Sequence, residues 1–302
     1  MKVSTAIVFP GQGSQKKGML SELSENSLVK KIYQNASDVL NYDLWDLTQN
    51  QEDKLNQTEY TQPAILTASY VYWQLYKEAL LENAELVVMA GHSLGEYTAL
   101  VCSGALSFES GVKLVARRGA LMQAAVPEGS GAMAAILGLE DDLVLKACDM
   151  AREHQIVDAV NFNSKGQVVI AGDHDAVHRA MSFAIQLGAK RALPLPVSVP
   201  SHCALMKPAA EELAVYLRQV EIKKPEIPVI HNVDVSIQED PEKIKKALID
   251  QLDHPVRWVE TIEKIEKIRA LGQILEVPPG KVLTGLNKRI IQKENLICAG
   301  LV

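Results

Sequence analysis

The stretch Gly91-His92-Ser93-Leu94-Gly95, set directly after the apolar run Leu86-Val87-Val88-Met89-Ala90, constrains this chain more than any other. The apolar run reads as a buried strand. The spacing of Leu94, Tyr97, Leu100, Val101 and Ala105 reads as an amphipathic helix. A strand, a sharp turn with serine at its apex and a helix make a nucleophile elbow. The glycines tolerate a strained turn and let strand and helix approach closely, so the serine oxygen projects into a cleft. The serine also stands at a helix N-terminus, where unpaired N–H groups favour developing negative charge. That setting suits acyl transfer.

The flanking pattern extends the α/β reading. Val3 to Phe9 is a short β-rich run stopped by Pro10-Gly11-Gln12-Gly13, hence a buried strand and a loop. Residues 28–40 and 62–81 have helical periodicity, and Ser107 to Ala125 reads as a helix with Ser107 as N-cap. These elements predict a parallel sheet wrapped by helices. From Met133 the order changes to strand (133–139), helix (140–153), strand (156–160), turn (161–166), strand (167–171), helix (173–187) and an extended segment (191–199). That is the βαββαβ order of a ferredoxin-like unit. Pro127-Glu128-Gly129-Ser130-Gly131 and Pro194 to Pro200 flank it as hinges. After residue 200 the α/β pattern resumes, with strands expected at 228–232, 273–277 and 296–299 and helices at about 203–219, 240–252 and 255–270. The expected architecture is an α/β-hydrolase-like core from residues 1–126 and 200–302, with 127–199 inserted as a small ferredoxin-like subdomain.

Composition narrows the function classes. The chain has 302 residues, 47% hydrophobic and 23% charged, enough for a sizeable core. A net charge of -6 offers no whole-molecule attraction for nucleic acid. No uninterrupted apolar stretch approaches the length of a membrane span, and residues 3–9 are too short for a signal peptide. The four cysteines (Cys102, Cys148, Cys203, Cys298) show no metal or redox spacing and read as reduced thiols of a cytoplasmic protein.

A serine hydroxyl needs a base, and seven histidines are available. His92 adjoins Ser93, but neighbours at an elbow point apart. His174 and His178, beside Asp173 and Asp175, offer two ligands on a helix face and no others nearby, so a solvated surface is the simpler reading. His154, His231 and His254 carry no local signal. His202, in Val199-Pro200-Ser201-His202-Cys203, lies where extended chain turns into helix and follows the serine in sequence. It is the base candidate, with the assignment left open on these grounds alone. The loop Gly11-Gln12-Gly13-Ser14-Gln15 fails as a dinucleotide fingerprint because Lys16 holds the last glycine position. It can instead supply one oxyanion donor, the other coming from Leu94 after the serine. Each such donor contributes about 3–4 kcal/mol in a transition state. Arg118, beside Arg117, reads from the residues alone as a helix-surface arginine.

With these residues in view, the chain closely resembles the malonyl-CoA:acyl-carrier-protein transacylases of bacterial fatty-acid synthesis. The resemblance spans nearly the full length. It rests on Phe9-Pro10-Gly11-Gln12-Gly13-Ser14-Gln15, Thr61-Gln62-Pro63-Ala64, Gly91-His92-Ser93-Leu94-Gly95-Glu96-Tyr97, and Arg118-Gly119 with Met122-Gln123. Asn161-Phe162-Asn163-Ser164, Pro200-Ser201-His202, Gln251 and Gly280-Lys281-Val282-Leu283-Thr284-Gly285-Leu286 complete it. Lys165 and Pro278 depart from the pattern, at loop positions where proline and glycine are more usual.

The resemblance implies that Ser93 is the nucleophile and His202 its general base, oriented by the backbone carbonyl of Gln251. Backbone N–H groups of Gln12 and Leu94 would form the oxyanion hole. Arg118 would hold the malonyl carboxylate, and Gln62, Asn161 and Ser201 would line or support the pocket. It implies malonyl-CoA and an acyl carrier protein as partners, neither metal nor redox cofactor, and two acyl-transfer steps through a malonyl-serine ester. The carrier is acidic, so Lys190, Arg191, Lys288 and Arg289 are candidate docking residues. Three other readings share these features. An α/β-hydrolase esterase would want an acid between serine and histidine, and Asp158, Asp173 and Asp175 lie in that interval. A non-catalytic carrier-binding scaffold would show no serine acylation. A malonyltransferase serving polyketide synthesis would differ only in its carrier.

Overall fold

A computed structural model describes residues 2–197 and 199–301. The chain opens with strand β1 (Val3–Phe9), followed by helices α1 (Ser27–Leu40), α2 (Leu44–Asn50), α3 (Glu52–Leu55) and α4 (Thr58–Asn83). The elbow joins β2 (Ala84–Gly91) to α5 (Leu94–Cys102), and α6 (Phe108–Ala125) follows with the Ser107 hydroxyl accepting from the Ser110 N–H as N-cap. Next come β3 (Gly131–Leu137), α7 (Asp141–Arg152), β4 (Val157–Ser164), β5 (Gln167–Asp173), α8 (His174–Gln186) and β6 (Arg191–Pro194). The last part holds α9 (Lys207–Leu217), β7 (Val229–Ile230), α10 (Pro241–Asp250), α11 (Trp258–Glu266), β8 (Gln273–Glu276), α12 (Val282–Ile290) and β9 (Ile297–Gly300).

The strands form two sheets. The first is parallel, in the order β7-β2-β1-β8-β9. Its central strand is sealed on both faces, since Ala6, Ile7, Val8 and Phe9 are each 0% exposed. Successive side chains alternate across a strand. Ile7 and Phe9 therefore join a core with Leu66, Leu100, Val115 and Leu213, while Ala6 and Val8 join another with Trp258, Ile262 and Leu286. A strand buried on both faces favours a continuous apolar run, which is what marked β1 and β2 in the sequence. The second sheet is antiparallel, in the order β4-β5-β3-β6, with α7 and α8 closing a third core. Its strand order and two helices are those of a ferredoxin-like unit. The fold is thus an α/β-hydrolase-like core with a parallel sheet and an elbow, plus a separate ferredoxin-like unit.

Helices α2 and α3 were not anticipated, and of the described residues in the segment expected to be extended over 191–199 only Arg191–Pro194 form a strand; the departure closest to the site is in β4. Residues 161–164 were expected in a turn, yet β4 runs on to Ser164 and only Lys165-Gly166 turn, with Gly166 at φ +68°. Tertiary pairing overrides the turn-forming side chains here. The Val256 N–H donates to the Val160 carbonyl at 2.8 Å and the Phe162 N–H to the Val256 carbonyl at 3.1 Å. These bonds tie β4 to the segment preceding α11.

Candidate active site

Ser93 sits at φ 51°, ψ −108°, a conformation that costs on the order of 1–3 kcal/mol in a non-glycine residue. Its neighbours show why the turn tolerates nothing larger than glycine. A Cβ on Gly91 would lie 1.9 Å from the Gly95 carbonyl carbon, and one on Gly95 would lie 2.1 Å from the Phe9 carbonyl oxygen. Asn232, just past β7, holds the turn from the other side. Its Oδ1 accepts from the Ser93 N–H at 2.7 Å, and its Nδ2 donates to the Gly91 carbonyl at 2.7 Å.

The Ser93 Oγ lies 2.7 Å from Nε2 of His202. His202 Nδ1 lies 2.7 Å from the backbone carbonyl of Gln251, which can only accept. Nδ1 therefore carries the proton and Nε2 presents a lone pair to the serine hydroxyl. Burial, and then the positive charge of Arg118, pull His202 down to about 3, against the opposing bond to Gln251. Asp158 pairs with Arg152 and Asp173 accepts from the Ile156 N–H, while Asp175 faces His174. The imidazole is thus oriented by a carbonyl and not by any of the acids that an esterase triad would recruit.

Arg118 is 1% exposed, unlike the surface residue its sequence position suggested. Its Nη2 donates to Ser93 Oγ at 3.2 Å and to Gln251 Oε1 at 3.0 Å, and its guanidinium lies 5.2 Å from the Tyr97 ring centroid. Its Nε has no partner, and among the described residues no carboxylate lies within ion-pair distance of the guanidinium. Burial lowers its proton affinity, with Tyr97 and then Glu96 opposing. A buried cation beside a serine hydroxyl, with an unused donor, is suited to an anionic group on a bound molecule.

Leu94, at the first position of α5, has no intrahelical acceptor for its N–H. Leu94 and Gln12 line a cavity of about 100 Å³ together with Ser93, Arg118, Asn161, Ser201 and His202. An adjoining compartment of about 200 Å³ shares Gln12, His92, Asn161 and Leu195 and reaches the start of α12. That helix start is held by Glu276, which accepts from the Leu283 and Thr284 N–H groups at 3.1 and 2.6 Å. A larger hollow, about 750 Å³ against α1 and α2, contains no nucleophile–base pair. Gln62 is buried behind the cavity: its Nε2 lies 3.5 Å from Met122 Sδ, and Met122 forms the wall. Lys190, Arg191, Lys288 and Arg289 are all exposed.

Several residues at the site escaped the sequence reading. Glu96, 0% exposed, accepts from His231 Nδ1 at 2.7 Å, the Asn232 N–H at 2.9 Å and Gln251 Nε2 at 2.8 Å. Its signal was an acid alone among nine buried residues of α5. Asn232 and His231 follow the carboxyl end of a parallel strand, where α/β sites assemble. His92 faces Asn163 Oδ1 at 2.8 Å through Nε2, so it braces β4 against the elbow and does not reach the serine. Among the described residues no helix is long and apolar enough to cross a membrane, and no cluster of three His, Cys, Asp or Glu could hold a metal ion.

Known proteins share this arrangement of fold and sequence. Residues 6–300 match the acyl transferase domain family. The malonyl CoA-acyl carrier protein transacylase of Haemophilus influenzae is 54% identical over 288 residues, covering 95% of this chain and 92% of the relative. The corresponding transacylase of Escherichia coli is 52% identical over 288 residues with the same coverage. Among solved structures, an acyl carrier protein S-malonyltransferase from Vibrio cholerae superposes with a TM-score of 0.92 at 55% identity, covering 98% of this chain and 96% of that one. A malonyl-transacylase in complex with its type II PKS acyl-carrier protein superposes at 0.94 and 52% identity, covering 99% and 96%.

Proposed function

This chain belongs to the acyl transferase family, and from that premise we propose that it carries malonyl from malonyl-CoA to the phosphopantetheine thiol of an acyl carrier protein. The malonyl group rests on Ser93 between the two steps. In the first, His202 Nε2 takes the Ser93 hydroxyl proton as Oγ attacks the thioester carbonyl. The tetrahedral oxyanion faces the Leu94 and Gln12 N–H groups. As the carbon–sulfur bond breaks, the departing thiolate takes the proton from His202, leaving coenzyme A and a malonyl-serine ester. In the second step the carrier thiol gives its proton to His202 and attacks the ester, and the proton returns to Ser93 as malonyl leaves.

The observation that carries this reading is the buried Arg118 guanidinium 3.2 Å from the same oxygen that faces His202. Malonyl differs from acetyl by one carboxylate, and a guanidinium can grip that group through two parallel hydrogen bonds. Acetyl would leave the cation uncompensated, so the site discriminates by what it leaves unpaired. Gln251 aims His202 through its carbonyl. Asn161 and Ser201 shape the pocket, and Gln62 supports its wall through Met122. The chemistry needs neither metal nor redox cofactor. The four cysteines are buried and unpaired, which suits a reducing cytoplasm. Lys190, Arg191, Lys288 and Arg289 are proposed to receive the carrier. Residues 127–199 are proposed as a small ferredoxin-like subdomain, which contributes Met133, Asn161, Leu195 and Val197 to the cavity lining.

Intact-mass measurement after mixing with malonyl-CoA tests the function. One malonyl adduct is expected on the wild type and none on Ser93→Ala. Arg118→Ala should lose the preference for malonyl over acetyl, and unchanged selectivity in that variant would overturn its role. A long-lived adduct discharged by thiols separates a transferase from an esterase, which would empty the serine into water. Parallel discharge by fatty-acid and polyketide carriers identifies the acceptor.

A further inference from the structure

The buried carboxylate of Glu96 touches neither Ser93 Oγ nor the cavity, yet its hydrogen bonds reach the residues that hold the site together. Three donors converge on it. His231 Nδ1 meets Oε1, while the Asn232 N–H and Gln251 Nε2 meet Oε2. Asn232 is the residue that anchors the Ser93 N–H, and Gln251 is the residue whose carbonyl orients His202. Gln251 Nε2 also donates to the Ser93 carbonyl at 3.1 Å, so both acceptors on that side are anionic or carbonyl oxygens. The amide is thereby left one orientation, with Oε1 toward Arg118. A chain of bonds runs from the Glu96 carboxylate through the Gln251 amide to the Arg118 guanidinium, joining a buried anion to a buried cation that have no direct contact.

We propose that Glu96 is a positioning residue that sets the amide orientation of Gln251 and thereby aims Arg118 at the carboxylate of the malonyl group. The proposal rests on the malonyl-transfer reading of the site. An ionised carboxylate is acceptor-only, with room for three donors. A glutamine at position 96 offers one oxygen and one NH₂. Keeping the oxygen toward Asn232 and Gln251 turns its NH₂ against the His231 Nδ1–H. That imidazole must then change tautomer and place an N–H at Nε2, which has no partner in the structure. Turning the amide the other way sets NH₂ against the Gln251 NH₂. Gln251 then flips and presents a donor to Arg118. Either arrangement leaves a buried donor unpaired; the first also replaces the anion that holds the Gln251 NH₂ with a weaker neutral oxygen, and the second turns Arg118 away from its aim.

The test uses the full chain, with malonyl and acetyl loading from their coenzyme A thioesters followed by rapid-quench intact mass. Glu96→Gln should lower the malonyl-over-acetyl ratio of kcat/KM by about tenfold, with most of the loss in KM for malonyl-CoA. Gln251→Leu keeps the backbone carbonyl that orients His202 and removes only the amide, so it should show the same loss. It carries the result should Glu96→Gln fail to fold. In an Arg118→Ala background neither change should alter the ratio further, because the path to the substrate carboxylate is already cut. A merely structural role predicts a lower melting temperature with malonyl and acetyl loading reduced alike. Folded variants that keep the ratio within about twofold, or that still shift it without Arg118, overturn the proposal. A wild-type chain that forms no malonyl adduct overturns the function and this inference together; a wild type that loads malonyl beside variants of unchanged preference overturns this inference alone.

Discussion

The pairing of His202 with Arg118 sets how the site answers to pH. As the proposed general base, His202 works only as the neutral imidazole, and burial followed by the Arg118 charge hold it at about 3. Malonyl loading should therefore stay flat from about pH 8 down to about pH 5, because the base gains its proton only as pH falls toward its native value. Single-turnover loading across that range checks this, and a rate that halves near pH 6.5, the ordinary imidazole value, would contradict it. Removing Arg118 takes away the second cause and leaves burial, so Arg118→Ala should move the acid limb upward on acetyl loading. The same shift bears on stability with a definite sign. The unfolded chain takes up a proton below about 6.5 and the native imidazole does not, so this contribution is present at neutral pH and lost as pH falls. At this scale the sequence was legible where local context marked a residue. Ser93 stood in an elbow, and His202 stood at a strand-like segment turning into a helix. Arg118 carried no local mark, because its burial comes from α6 packing among α4, α9 and the elbow helix. Glu96 and Asn232 were missed because their roles consist of bonds to each other across 136 residues.

At the scale of elements, the elbow depends on how closely β1, β2 and α5 approach. Gly95 faces the Phe9 carbonyl at a distance no Cβ can occupy, and the obstacle is backbone, which cannot rotate aside. Gly95→Ala should therefore destabilise the fold by about 3 kcal/mol or more, beyond ordinary core overpacking, and should also abolish serine malonylation. Denaturant unfolding monitored by circular dichroism checks the first part, and a change within about 1 kcal/mol of wild type would show that strand and helix can part without cost. The elements themselves were legible wherever one period dominated. The apolar runs of β1 and β2 reflect burial on both faces, and α6 announced its start through Ser107. The stretch Asn161–Ser164 misled because its side chains answer to the site and not to the strand. Asn163 braces His92 and Asn161 lines the cavity, while the backbone pairs with Val256. Polar residues chosen for such contacts look like a turn to any local rule.

At the scale of the whole molecule, the proposed transfer needs one surface that receives a carrier protein. The parallel sheet and its crossings were predictable from alternating strands and helices, but the meeting of the two basic pairs was not, because it depends on register across the antiparallel sheet. Leu137 pairs with Gln167 on one side and with Arg191 on the other, which sets Arg191 and Gln167 about 10 Å apart across two strand spacings. Arg289 at the end of α12 donates to Gln167 Oε1 at 2.9 Å. The 190–191 and 288–289 pairs, separated by some hundred residues of chain, thus flank one strip of surface, and α12 begins at the compartment that shares Gln12, His92, Asn161 and Leu195 with the Ser93 cavity. Against a net charge of -6 this basic strip is the more distinctive, and an acidic carrier of the kind proposed would favour it. Reversing the strip with Arg191→Glu and Lys288→Glu should slow transfer from malonyl-Ser93 to the carrier by about tenfold or more at low salt, with the difference shrinking as salt is raised. Loading from malonyl-CoA should stay close to wild type, because neither residue lines the cavity around Ser93. The two half-reactions can be followed separately by intact mass, first adding malonyl-CoA and then adding carrier to the isolated adduct. Equal loss in both, or a carrier step that does not respond to salt, would place the docking surface elsewhere.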